Sequence, residues 1–121
     1  MDYRICYYKT ARGDTPFEVF LNGLNDKVKA KFIKMQTILA EHGPDLKRPY
    51  ADMLRDDIRE LRVMFGSNTY RALFFFFGGR NILITHGFMK KTDRVSQDEI
   101  ERALRYKHDF EARIGRGESE S

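Results

Sequence analysis

The stretch from Ile58 to Phe88 leaves few ways to fold. It holds three runs rich in aromatic and β-branched residues, Ile58–Phe65, Tyr70–Phe77 and Ile82–Phe88. Gly66-Ser67-Asn68-Thr69 separates the first two and Gly78-Gly79-Arg80-Asn81 the second two. Both separators have the turn chemistry and length of hairpin loops, so the runs are expected to pair as consecutive antiparallel strands.

The flanking residues supply the cover such a sheet needs. Tyr3–Lys9 reads as a further strand, and Thr15-Pro16 opens a short helix through Phe17, Phe20 and Leu21. A second helix is expected over 25–42, with Val28, Phe32, Met35 and Leu39 on one stripe and Gly43-Pro44 as its stop. Residues 44–57 read as a looser connection anchored by Leu46, Tyr50 and Met53. Ser96-Gln97-Asp98-Glu99 is a capping box, opening a last helix that turns Ile100, Ala103, Leu104 and Phe110 inward and ends at Gly115. The expected fold is one α+β domain over residues 1–114, in the order β-α-α-β-β-β-α. It has a small, mainly antiparallel four-stranded sheet with helices on one face. Residues 115–121 are expected to form a flexible tail.

Even-length hairpin loops sort the strand residues into two faces. One carries Leu61, Val63, Phe65, Tyr70, Ala72, Phe74, Phe76, Leu83, Thr85 and Gly87, and is expected to lie under the helices. The other carries Glu60, Arg62, Met64, Arg71, Leu73, Phe75, Ile84, His86, Phe88 and Lys90. On it, Arg62, Arg71, His86 and Lys90 gather at one end, a plausible floor for phosphate. Charge agrees: residues 58–94 hold seven basic side chains, among them Arg59, Lys91 and Arg94, against Glu60 and Asp93. The whole basic excess of a chain with net charge +4 falls there, which suits a polyanion. Plainer roles stay open: Arg62 can pair with Glu60, Arg71 can sit in a structural ion pair, His86 can be half-buried and hydrogen-bonded, and Lys90 and Lys91 can be merely solvated.

Composition closes other routes. In 121 residues there is one cysteine, Cys6, so neither a disulfide framework nor a multi-cysteine zinc site is available. His42, His86 and His108 have no ligand spacing, and Gly78-Gly79 opens no helix, so neither a metal nor a phosphate-loop cofactor is expected. The start, Met1-Asp2-Tyr3-Arg4, does not resemble a signal peptide, and the apolar run 72–77 is far shorter than a membrane span. A cytoplasmic protein without membrane contact is expected.

Glu60-Leu61-Arg62, Tyr70-Arg71, Thr85-His86-Gly87-Phe88-Met89-Lys90-Lys91-Thr92 and Gln97-Asp98-Glu99-Ile100-Glu101-Arg102-Ala103 occur in that order. Together they resemble the phage-derived Gp49-like branch of HigB toxins, within the RelE/ParE superfamily of type II toxin–antitoxin systems. The resemblance implies a ribosome-dependent endoribonuclease that cleaves mRNA and a helix-turn-helix antitoxin as partner. By the same resemblance Arg62 and Arg71 would hold the phosphate, Lys91 would face the developing charge and His86 would transfer protons. Arg59, Lys90 and Arg94 would contact RNA nearby. The superfamily also contains ParE-like toxins, which act on DNA gyrase without cleaving RNA, so a non-enzymatic inhibitor is the alternative. The basic and imidazole cluster favours the nuclease. One departure is that 93–97 lacks the tyrosine or histidine some RelE-type enzymes place after the basic exit residue, while Tyr106 and His108 lie further on.

Overall fold

The computed structural model describes residues 2–90 and 94–115. Its elements are β1 (Arg4–Tyr7), α1 (Pro16–Asn22), α2 (Asp26–His42), β2 (Ala51–Arg55), β3 (Ile58–Phe65), β4 (Asn68–Phe77), β5 (Asn81–Lys90) and α3 (Gln97–Gly115). Among the described residues the strands form one five-stranded sheet in the order β1-β5-β4-β3-β2. All pairs are antiparallel except β1 with β5. The α+β class is as expected, and the strand count is five where four were expected.

Helix α1 opens on Pro16 with no cap bond from the Thr15 side chain, while α2 and α3 start where side chains take up free amide groups. Asn25 accepts from the Val28 N–H at 2.9 Å, and Ser96 Oγ accepts from the Glu99 N–H at 3.4 Å. The additional strand, β2, lies in the stretch expected to be loose. It is joined to β3 by Asp56 and Asp57, both left-handed at φ 52° and 67°, so Arg55 pairs with Ile58. Two successive left-handed residues make the tight turn whose twist suits a hairpin, and aspartate tolerates that region without glycine.

Of the two long hairpins, the first keeps an even loop and the second does not. The β3–β4 turn is Gly66-Ser67 alone, two residues shorter than the four-residue separator in the sequence, which sets Arg62 directly opposite Arg71. A shift of two keeps each side chain on its expected face. The β4–β5 loop has three residues, Gly78-Gly79-Arg80, and a bulge at Thr85 absorbs the odd one. Beyond the bulge Leu73 pairs with His86 and Arg71 with Phe88, so all four keep the face expected for them. Nearer the loop Phe74 pairs with Ile84 and Phe75 with Leu83, so Leu83 and Ile84 exchange the faces assigned to them.

Each face of the sheet has its own core. Phe17, Leu21, Val28, Phe32 and Leu39 of α1 and α2 pack on Leu61, Val63, Ala72, Phe74, Ile82 and Ile84. On the other side Ala103 and Phe110 of α3 pack on Ile58, Leu73, Phe75 and Leu83, with Tyr8. The expectation of helices on one face therefore holds for α1 and α2 and is corrected for α3. The cause is the apolar half of the second face, Leu73, Phe75 and Phe77, which would otherwise leave a large patch in water. No described helix is long and apolar enough to cross a membrane.

Candidate functional site

Four polar or charged side chains are buried among the described residues: Glu60, Arg71, Thr85 and His86. They lie together, and alternation explains why. Glu60 and Arg71 share a face with Leu73, and the bulge at Thr85 delivers His86 to the position opposite Leu73. Arg71 is fully buried, and its Nη1 donates to Glu60 Oε1 at 2.6 Å. A guanidinium out of water needs such a partner, since an uncompensated charge there costs several kcal/mol. Arg62 directly faces Arg71 across the strands and is only half-buried. Two cations side by side repel; with Glu60 beside them, the group carries a net positive charge.

His86 is 1 % exposed and is held from three sides. Its Nδ1 lies 3.0 Å from Thr85 Oγ1, its Nε2 lies 3.0 Å from Glu99 Oε1 of α3, and its ring stacks on Phe88. Burial pushes its pKa down to about 4; the Glu99 carboxylate opposes this, and the Arg102 and Arg105 cations reinforce it. The imidazole is therefore neutral at pH 7. A carboxylate only accepts, so the proton lies on Nε2 and is donated to Glu99; the single Thr85 hydroxyl proton is shared between Nδ1 and the Leu73 carbonyl, to which Oγ1 donates at 3.1 Å. Contact with Glu99 is then a hydrogen bond and becomes an ion pair only in acid.

Two further residues of α3 complete the surroundings. The Tyr106 ring meets the His86 ring edge-on at 5.8 Å and stacks on Tyr8 at 4.5 Å. Its hydroxyl accepts from Arg102 Nε at 3.0 Å. With α3 expected under the opposite face, the sequence alone does not bring Glu99, Arg102 and Tyr106 to the site. Their i, i+3, i+7 spacing from Glu99 was the available signal, since it puts all three on one side of a helix.

Of the residues singled out in the sequence, Arg62, Arg71 and His86 thus come together, and half-buried Lys90 lies one row further along, opposite Thr69. The open phosphate floor expected for them is corrected, because Arg71 and His86 are both buried, with α3 lying over His86. Arg59 is corrected too: it shares the other face with Leu61, and its guanidinium lies over the Phe76 ring at 5.0 Å. Arg94 is exposed and borders a cleft of about 410 Å³ between β2 and the start of α3, with Arg48, Arg55, Asp52 and Glu60. Lys91 lies outside the described residues. No group of three or more potential metal ligands occurs among the described residues.

Comparison with known proteins adds a family. No curated protein matches the chain. The family model described as phage-derived protein Gp49-like (DUF891) matches residues 19–108, which run from α1 to the last turns of α3 and include every buried polar residue above. The chain belongs to the phage-derived Gp49-like family, a toxin-like family.

Proposed function

We propose that this chain is the toxin of a type II toxin–antitoxin pair and acts as a ribosome-dependent endoribonuclease on mRNA. One observation carries the proposal: Arg62, Arg71, Phe88 and His86 share one sheet face, with a helix bringing Arg102 and Tyr106 to the same place. Few structural needs call for that many cations and an imidazole on one small sheet, and buried, shifted groups of this kind mark functional sites.

Cleavage of this type joins a 2′-oxygen to the adjacent phosphorus, breaks the bond to the 5′-oxygen and leaves a 2′,3′-cyclic phosphate. The 2′-hydroxyl loses a proton and the departing 5′-oxygen gains one. Arg62, the more accessible arginine, supplies forked donors to the phosphate oxygens, and Lys90 meets the backbone beside it. Arg71 sits directly behind Arg62 and raises the local potential while Glu60 fixes its position. His86, buried with both ring nitrogens engaged, acts by positioning α3 through Glu99 and not by meeting the RNA itself. Arg94 offers a further backbone contact at the edge, and Lys91 the cation at the strand's exit. The partner that silences the toxin is a helix-turn-helix antitoxin, and the site of action is the translating ribosome in the cytoplasm.

The test is a map of new mRNA 5′ ends minutes after induction, with Arg62→Ala/Lys90→Ala as the control. Both residues are partly exposed, so the variant is expected to fold. New ends inside translated regions are expected for the wild type and a loss on the order of 10²-fold in the variant. Growth arrest without new ends would overturn the nuclease and point to an inhibitor of the gyrase type.

A further inference from the structure

A cavity of about 570 Å³ opens on the side of the sheet away from His86 and meets the cationic site only at Arg62. It runs between α2 and the outer edge of β3. Met35, Ile38, Leu46, Val63 and Met64 give it apolar walls, and Lys31, Lys34, His42 and Arg62 stand around it. No carboxylate lines it.

Beside this cavity β3 outruns its neighbour. The last β2–β3 pair is Ala51 with Leu61, after which the Arg62 N–H donates to the Tyr50 carbonyl at 2.8 Å. The two-residue repeat points Met64's amide groups to the same edge, beyond the end of β2. There the Met64 carbonyl takes only a long contact from Lys31 Nζ, at 3.5 Å. The Met64 side chain is 45 % exposed and that of Tyr50 49 %. An edge of this kind is a template for one more strand.

We infer that the cavity is a docking site for an extended, acidic, amphipathic segment of a partner protein, which adds a strand along 62–65. Charge complementarity selects the occupant. The exposed Lys31 and Lys34 call for acidic side chains on one side of the incoming strand. The apolar walls call for aliphatic ones on the other, the alternation an extended peptide supplies. A nucleic acid backbone would satisfy the lysines and leave Met35, Ile38, Leu46 and Val63 without a counterpart. The cavity shares Arg62 with the nuclease site proposed above, but α2 lies on the other side of the sheet from His86 and Arg71, and Lys31 and Lys34 have no part in that site.

The experiment uses the full chain labelled with ¹³C at its methyl groups and a dye-labelled peptide of alternating Glu and Val. Saturable binding is expected, with shifts concentrated at the methyls of Met35, Ile38, Val63 and Met64. Lys31→Glu/Lys34→Glu is expected to weaken binding by roughly tenfold, and raised salt to weaken the wild type similarly. Absence of binding, equal binding of the Lys/Val counterpart, or shifts confined to other methyls would overturn the docking site. So would a single-stranded RNA that shifts these methyls when the peptide does not. Unchanged 5′-end maps for Lys31→Glu/Lys34→Glu are expected alongside, so failure of the docking site and failure of the nuclease are read separately.

Discussion

The two faces of the sheet are held down in opposite ways. Under α1 and α2 every buried side chain is apolar, and aromatic edges meet one another: Phe17 with Phe32 at 5.8 Å, Phe20 with Phe32 at 5.7 Å. Under α3 the apolar cluster is smaller and shares its floor with Glu60, Arg71 and His86. Burial of carbon is favourable wherever it occurs, at ~25 cal/mol per Å². A buried ion pair seldom improves on well-packed apolar residues of the same size. The first face is therefore what folding alone would select, while the second has kept charges that stability does not require. That difference makes the α3 face the place to look for activity.

The largest effects separate the faces directly. Phe32→Ala should lose about 3–5 kcal/mol in urea unfolding, and no single compensating change should restore it, because the loss is one of volume. Arg71→Ala should lose a similar amount, about 3–5 kcal/mol, for a different reason: Glu60 stays buried without its guanidinium. Here a second change does compensate. Arg71→Met/Glu60→Leu is expected to match or exceed the wild type in stability and to have no toxicity. A double variant that stays as unstable as Arg71→Ala would mean that the pair serves the fold, and the contrast between the faces would fail.

Next in size is the approach of α1 to the sheet. Gly87 has no side chain on the α1 face, and an added methyl would run into the Phe20 ring. Gly87→Ala should cost about 1–3 kcal/mol by thermal unfolding, since an aromatic ring in a packed core yields little. Its 5′-end map should stay close to wild type. Loss of cleavage at full stability would show that the two faces are coupled through β5, and so would sharpen the comparison into a claim about motion.

Much of this contrast was legible in the residues. Period-two alternation placed Leu61, Val63, Ala72 and Phe74 on one face and Glu60, Arg62 and Arg71 on the other, and the structure keeps that division. Helix α2 matched its expected stripe because Val28, Phe32 and Leu39 are all buried. Three features were not legible. Strand β2 carries Asp52 and Arg55 and ends in Asp56-Asp57, so its turn lacks the glycine that announces most tight hairpins. The bulge at Thr85 leaves no mark in composition, yet it exchanges the faces of Leu83 and Ile84. Helix α3 shows its apolar stripe plainly, but a stripe does not say which of two apolar surfaces it will cover. That last ambiguity turned an expected open floor into a covered one and hid Glu99, Arg102 and Tyr106 from the site.

The smallest effect at neutral pH belongs to His86, and its value lies in how it grows in acid. Folding lowers the imidazole pKa from 6.5 to about 4, chiefly by burial. The unfolded chain therefore binds a proton that the folded chain refuses between those values. Stability from this group is fully present above pH 6.5 and is lost as pH falls from about 6.5 to about 4. Glu99 moderates the loss by pairing with the imidazolium, while Arg102 and Arg105 oppose that pairing. His86→Gln keeps hydrogen-bonding capacity and cannot titrate, so at pH 7 it should change stability by only about 1 kcal/mol. Unfolding curves taken from pH 7 to pH 4 should converge and then cross, with the variant the more stable in acid. Parallel curves would assign the acid sensitivity to the carboxylates instead. A neutral, buried His86 would then have no part in setting the α3 face apart from its apolar counterpart.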